Sequence, residues 1–353
     1  MGLSDMKRNK IIFLFVLITL FIITGCSNKE KTNQQSEIEK QKEEIKEVKK
    51  VSIIDLESKS RPYAVVINNF PSAVKVQSGL QEAYLIYEFP IEGGMSRSLA
   101  LYKDKTDVKI GTVRSARHDY LDYVLENDAI FVHFGWSHKA EIEIAQLDID
   151  NIDGNYMDPK PFWRENPEGL ATEHTVYTNL SNINEYNNNT KGYRNTTEVL
   201  PSLKYTTEEI NLSEYGDSMS ANSIEIPYSN WVKVSYSYNE ENQRYDRMVN
   251  GTNHIDYFSK KQYDCKNIIV LLIDWGYVAN NVDAAGNNYL DLYNTGTGKG
   301  YYITNGYAKE INWNKPDRNS QTKYTYTDGT EVEINDGNTW IMFGSNNMGV
   351  KIS

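Results

Sequence analysis

Cysteine is scarce in this chain: its 353 residues include two, Cys26 and Cys265. Cys26 has another fate, argued below, so Cys265 lacks a partner and no structural disulfide is expected. Positive charge is also short. Lysine and arginine number 37 against 48 acidic residues, for a formal net charge of −11; removing residues 1–25, which carry a net +2, leaves −13. That disfavours nucleic acid as a partner, because gripping a phosphate backbone needs a dense cationic face. No apolar run reaches the roughly 20 residues of a membrane-spanning helix. There is no GxSxG, P-loop or GxGxxG, so no complete catalytic or nucleotide-binding motif is spelled out.

What is present begins with an address. Lys7, Arg8 and Lys10 precede an apolar run over residues 11–23, which meets Thr24, Gly25 and Cys26. A basic segment, a short apolar core and small residues before a cleavage point make an export signal over residues 1–25. The cysteine after the small residues resembles a lipobox. That resemblance implies diacylglyceryl, with chains such as palmitate, on Cys26, giving two-chain anchoring on the outer face of the cell membrane. Residues 26–58, rich in Lys, Glu and Gln, read as a charged tether.

The remaining length suggests two domains. Residues 59–205 pattern as a mixed α/β domain and residues 206–353 as a β-rich domain, an α+β chain overall, with a polar linker over 206–222. Apolar runs predict strands at 63–67, 83–89, 98–102, 129–134 and 267–274, the last as a buried central strand. Helical spacing follows Arg114, and Ser137 is placed to cap a helix from His138. Gly296, Gly298 and Gly300 lack phosphate-loop spacing and read as a hairpin. The 26 tyrosines and many asparagines fit an AT-rich codon bias before they fit a sugar-binding surface.

The stretch from Glu88 to Tyr120 carries most of the candidate chemistry. It sets Glu88, Glu92, Gly93 and Gly94 against Arg97, Arg114 and Arg117. Arg114 and Arg117, three apart near a helix start, could grip one anion with Arg97 and His118. The alternative is that these arginines pair with Glu88, Glu92 or Asp119 and brace the fold. Glu88 and Glu92 are the acidic candidates for paired-carboxylate chemistry. His133, His138 and Glu141 form a weak metal set, weighed against histidines satisfied in the fold; no cofactor is expected.

In order along the chain stand Arg61-Pro62-Tyr63-Ala64-Val65, Gln77-Ser78-Gly79-Leu80, Tyr87-Glu88, Glu92-Gly93-Gly94, Ser96-Arg97, Gly111, Val113-Arg114-Ser115-Ala116-Arg117, His133, Gly135, Ser137 and Glu173-His174-Thr175. Together these blocks resemble the YerB-like lipoproteins, exported Gram-positive proteins. The resemblance implies the lipoprotein status and two-domain layout, and brings no catalytic residues. Where that family usually has proline, a second glycine and aspartate, this chain has Thr112, Trp136 and Asn68. The expected function is a non-enzymatic binding or scaffolding protein of the cell envelope, taking a cell-wall polymer or an envelope protein as partner. The alternative is an enzyme that acts on an anionic wall polymer or lipid-linked precursor through the arginines.

Overall fold

The computed structural model describes residues 50–156 and 161–353. The expected export signal, Cys26 and the tether up to residue 49 lie outside the described residues.

The apolar runs become the middle of one eleven-stranded sheet. In chain order its strands are β1 (Tyr63–Asn68), β2 (Leu85–Ile91), β3 (Met95–Tyr102), β4 (Ile130–His133), β5 (Asn151–Asp153), β6 (Met219–Ser220), β7 (Asn267–Leu272), β8 (Gly296–Thr304), β9 (Tyr307–Lys315), β10 (Lys323–Tyr326) and β11 (Thr339–Gly344). They lie in the order β6-β9-β8-β7-β11-β2-β3-β1-β4-β5, with β10 paired to β9. Strands hold 41% of the structure and helices 16%, so the fold is β-rich. The α/β character expected of residues 59–205 is confined to a few connections. One is a true βαβ unit: β4, helix α2 (His138–Gln146) and β5, with the two strands parallel and adjacent. Ser137 caps α2 as its position predicts, its Oγ accepting the Ala140 N–H at 3.3 Å.

The strand that joins the two halves is β11. It runs parallel to both neighbours, β2 from the first half and β7 from the second, with Thr339 opposite Leu85 on one side and Asn267 on the other. All six of its residues are buried, as a strand with parallel partners and covered faces requires. The boundary expected near residue 206 is therefore no break in the sheet, and residues 50–353 form one compact unit. The polar stretch expected as a linker buries Leu212 completely and contributes β6 to the sheet edge. Polar composition hid these contacts, because a two-residue strand and scattered apolar anchors leave no period to read.

Period-two alternation sorts the central side chains onto two faces. Leu85, Tyr87 and Phe89 of β2 pack with Tyr120, Tyr123 and Phe343 on one face, beneath α1 (Leu121–Glu126) and α2. Ile86 shares the other face with Trp340, Met342, Ile224, Val234 and Tyr236, where a second antiparallel sheet covers it. That sheet is built mainly from Ser223–Pro227, Lys233–Asn239 and Arg244–Val249. β8 and β9 form the hairpin expected there, and packing accounts for Gly298 and Gly300, whereas a Cβ on Gly296 would meet nothing within 4 Å. A Cβ on Gly300 would stand 2.3 Å from the backbone oxygen of Val270 in the neighbouring strand. Gly300→Ala should cost about 1–3 kcal/mol, the usual penalty of an overfilled core. Urea unfolding measures it, and an unchanged midpoint would refute the packing account.

Candidate functional site

The turn between β2 and β3 builds the site. Gly93 and Gly94 take φ of 70° and 71°, a left-handed geometry natural to glycine, and reverse the chain within three residues. A Cβ on Gly94 would also meet the Ser229 Cβ at 2.8 Å. The reversal leaves Glu92 in the turn and Arg97 opposite Phe89 on β3.

Strand alternation then divides the charges that the sequence presents as one group. Glu88, Ser96 and Ser98 point toward the second sheet. There the Ser96 hydroxyl donates to Glu88 Oε1 at 2.6 Å, and Arg247 Nη2 donates to Glu88 Oε2 at 2.7 Å. Arg97 points the other way. Glu88 and Glu92 thus engage separate arginines, Glu88 with Arg247 and Glu92 with Arg117, and do not form the paired carboxylates of a glycosidase site. Arg247 is the residue that sequence reasoning missed: it lies 159 positions from Glu88 in an ordinary alternating strand.

The three arginines meet different fates. Arg117 is braced: its Nε donates to Glu92 Oε2 at 3.0 Å, its Nη2 to Oε1, and its Nη1 to the Ala116 carbonyl at 2.9 Å. The Tyr289 ring lies 5.0 Å from its guanidinium. Burial opposes the charge of Glu92, but the Arg117 hydrogen bonds and charge outweigh it and bring the carboxyl down to about 2. Burial likewise opposes the charge on Arg117, and Glu92 overcomes it and raises that group.

Arg97 has no such partner among the described residues. It is 5% exposed, its Nη1 donates to the Ser115 carbonyl at 2.7 Å, and its buried Nε has no acceptor. Burial, and then the nearby Arg117 charge, lower its pKa to about 10. Arg114 also forms no ion pair among the described residues, and its Nε is buried without an acceptor. Burial lowers its pKa too, with Glu173 opposing the shift. The Tyr120 hydroxyl, fully buried on the Arg97 side of the sheet, is also unpartnered. Two guanidinium groups and a phenol with unmet hydrogen-bond capacity surround this part of the fold, the deficit that an anion fills.

Beside Arg114 stands a second, ordered feature. Asn68, the last residue of β1, accepts the Phe70 N–H on Oδ1 at 3.1 Å and places Nδ2 2.9 Å from His174 Nδ1. The His174 and Phe70 rings stack at 4.8 Å with 18° between their planes. Burial, then the charge of Arg114, lowers the His174 pKa. Asn68 therefore has a positioning role, one that an amide fills by donating to the ring nitrogen.

His118, expected to join the arginines, faces a different group. Its Nε2 lies 2.8 Å from Asp291 Oδ1 and 3.2 Å from Asp119 Oδ1, and the three candidate ligand atoms fall within 4.8 Å of one another. These residues could hold a metal ion. As arranged, Lys139 Nζ already sits 2.6 Å from Asp291 Oδ1, and His118 Nδ1 has no acceptor to orient the ring. The cluster ties the hairpin of Trp275–Val282 and Asn288–Leu292 to the helix start, with Asp119 Oδ1 also accepting the Leu292 N–H at 2.9 Å. Asp291 lies 173 positions from His118, so no local spacing could reveal the group. The metal set expected from sequence does not assemble among the described residues. His133 is fully buried with Nδ1 facing the Gly135 carbonyl, and His138 is an exposed side chain 3.8 Å from Glu141. Cys265 is buried, and burial pushes its thiol well up, as expected of a small packed residue.

Comparison with known proteins agrees with this architecture. The chain is 29% identical over 284 residues, 80% of each chain, to "Putative lipoprotein YerB" of Bacillus subtilis strain 168. The crystal structure of YerB protein from Bacillus subtilis matches with a TM-score of 0.70 at 28% identity, covering 84% of this chain and 94% of that one. Residues 52–194 match the N-terminal domain and residues 224–341 the C-terminal domain of the family described as "Protein of unknown function (DUF3048)", and the chain belongs to that family.

Proposed function

We propose that this protein is a lipoprotein held on the outer face of the membrane through Cys26, and that it binds an anionic group between Arg97 and Arg114 without turning it over. The observation that carries this reading is Arg97, a cation 5% exposed that forms no ion pair among the described residues, the nearby Glu92 carboxylate being engaged by Arg117. Leaving a charge buried and unpaired costs several kcal/mol, and an anion delivered by a ligand offsets that cost. Of the two carboxylates that act on Arg114, Glu92 is held by Arg117 and Glu173 is exposed, and no hydrogen-bonded pair of nucleophile and base stands with them among the described residues, which favours binding over catalysis.

Arg114 is the more accessible of the two and braces nothing, so it separates function from folding. Arg114→Ala should weaken binding of inorganic phosphate by tenfold or more in isothermal titration calorimetry, about 1.4 kcal/mol, while the melting temperature stays within a few degrees. Unchanged affinity defeats the anion site. A collapse in melting temperature without a binding defect returns the arginines to bracing. Turnover of a wall polymer or lipid-linked precursor that disappears in the variant would make the protein an enzyme.

A further inference from the structure

We infer that the anion taken by Arg97 and Arg114 is carried on a sugar ring that stacks on Phe70. This rests on the anion-binding reading and names its ligand class.

Phe70 is 42% exposed although it stands two residues beyond the end of a buried central strand. A singly exposed aromatic ring is ordinary on a protein surface, and what distinguishes Phe70 is its surroundings. Here they are ordered from behind. The His174 ring covers one face of Phe70, and a single amide, Asn68, holds both the Phe70 backbone and the His174 ring. Both supporting groups are themselves buried, Asn68 at 2% exposure and His174 at 6%. The platform is thus fixed before any ligand arrives, which removes part of the ordering cost of binding.

Its position ties it to the arginines. Asn68 pairs directly with Arg97 across β1 and β3, and the charges of Arg114 and then Arg97 act on His174. Glu173, next to His174, is an exposed carboxylate within the field of Arg114 and Arg164. An apolar ring face, a carboxylate able to accept hydrogen bonds from hydroxyls and two arginines together match a uronate or a sugar phosphate. The sugar's C–H face lies on Phe70, its hydroxyls reach Glu173 and its anion reaches Arg97 and Arg114. A ringless anion would use the arginines and leave Phe70 idle.

Isothermal titration of the intact protein in detergent with glucose 1-phosphate, glucuronate, glycerol 3-phosphate, inorganic phosphate and uridine monophosphate tests this. Glucose 1-phosphate should bind at least tenfold more tightly than glycerol 3-phosphate, and its rank against glucuronate tells phosphate from carboxylate as the anion. Phe70→Ala should erase the advantage of the ring and leave inorganic phosphate binding unchanged, while Phe70→Trp preserves it. Equal affinities for glucose 1-phosphate and glycerol 3-phosphate overturn the inference while leaving the anion site standing. So does a Phe70→Ala variant that loses inorganic phosphate equally. Tightest binding by uridine monophosphate assigns the platform to a nucleobase instead and also overturns it. Failure of every anion to bind overturns the anion site and this inference together.

Discussion

Arg247→Met should lower the stability of the folded protein by about 3–5 kcal/mol, the cost of leaving one member of a buried ion pair without the other. Glu88 is fully buried and Arg247 is 2% exposed, with the Glu88 carboxylate 2.7 Å from the guanidinium. The Arg247 guanidinium also lies 4.5 Å from the Trp340 ring and meets His254 Nδ1 at 2.5 Å. In the variant, the Ser96 hydroxyl is the one side-chain donor to the Glu88 carboxylate that remains among the described residues. The loss would appear as a lower urea midpoint, and Glu88→Leu combined with Arg247→Met should recover most of it, because apolar replacement of both partners removes the orphaned charge. If the single variant unfolds at the wild-type midpoint, the pair contributes nothing to the seam between the sheets. If the double variant is no more stable than the single, the cost lies in packing.

The pair also shows what could be read from the sequence and what could not. Continuous apolar runs made β1 and β7 legible, because strands covered on both faces need apolar residues at every position. Ser137 was legible as a cap because that chemistry is local. Arg247 was not, since its partner is set by which face of β2 Glu88 occupies and by a second sheet that folds across it. The arginine site was legible as a cluster of residue types, but its internal division was not. Arg97 and Arg117 lie near one turn, yet of the two Arg117 pairs with Glu92 while Arg97 donates to the Ser115 carbonyl. Phe70 gave no signal because exposure is a property of the assembled surface. The joining role of β11 was likewise hidden: strand order is a long-range outcome, and nothing in residues 339–344 names β2 and β7 as neighbours.

Glu92→Gln should give the largest effect on the arginine site, with opposite signs for folding and for binding. In the folded protein the Glu92 carboxyl titrates at about 2 against an ordinary value of 4.5. A group whose pKa is depressed on folding contributes stability above its unfolded pKa and loses it as pH falls through the folded one. Glu92 should therefore contribute about 3 kcal/mol at neutral pH, lost progressively between about pH 4.5 and pH 2. The amide keeps the shape and removes the charge, so the variant should be less stable at pH 7 and should lose less on acidification across that window. Arg117 is then a buried cation without a counter-charge beside Arg97, whose pKa it already lowers. Added phosphate should stabilise the variant more than the wild type, because an anion binding the folded state alone shifts unfolding by mass action, and phosphate affinity should rise by about tenfold. Acid-unfolding curves that superimpose for the two proteins would show that the ion pair does not carry this stability. A destabilised variant with unchanged phosphate affinity would place Arg117 outside the ligand's reach and leave Arg97 and Arg114 as the whole of the site.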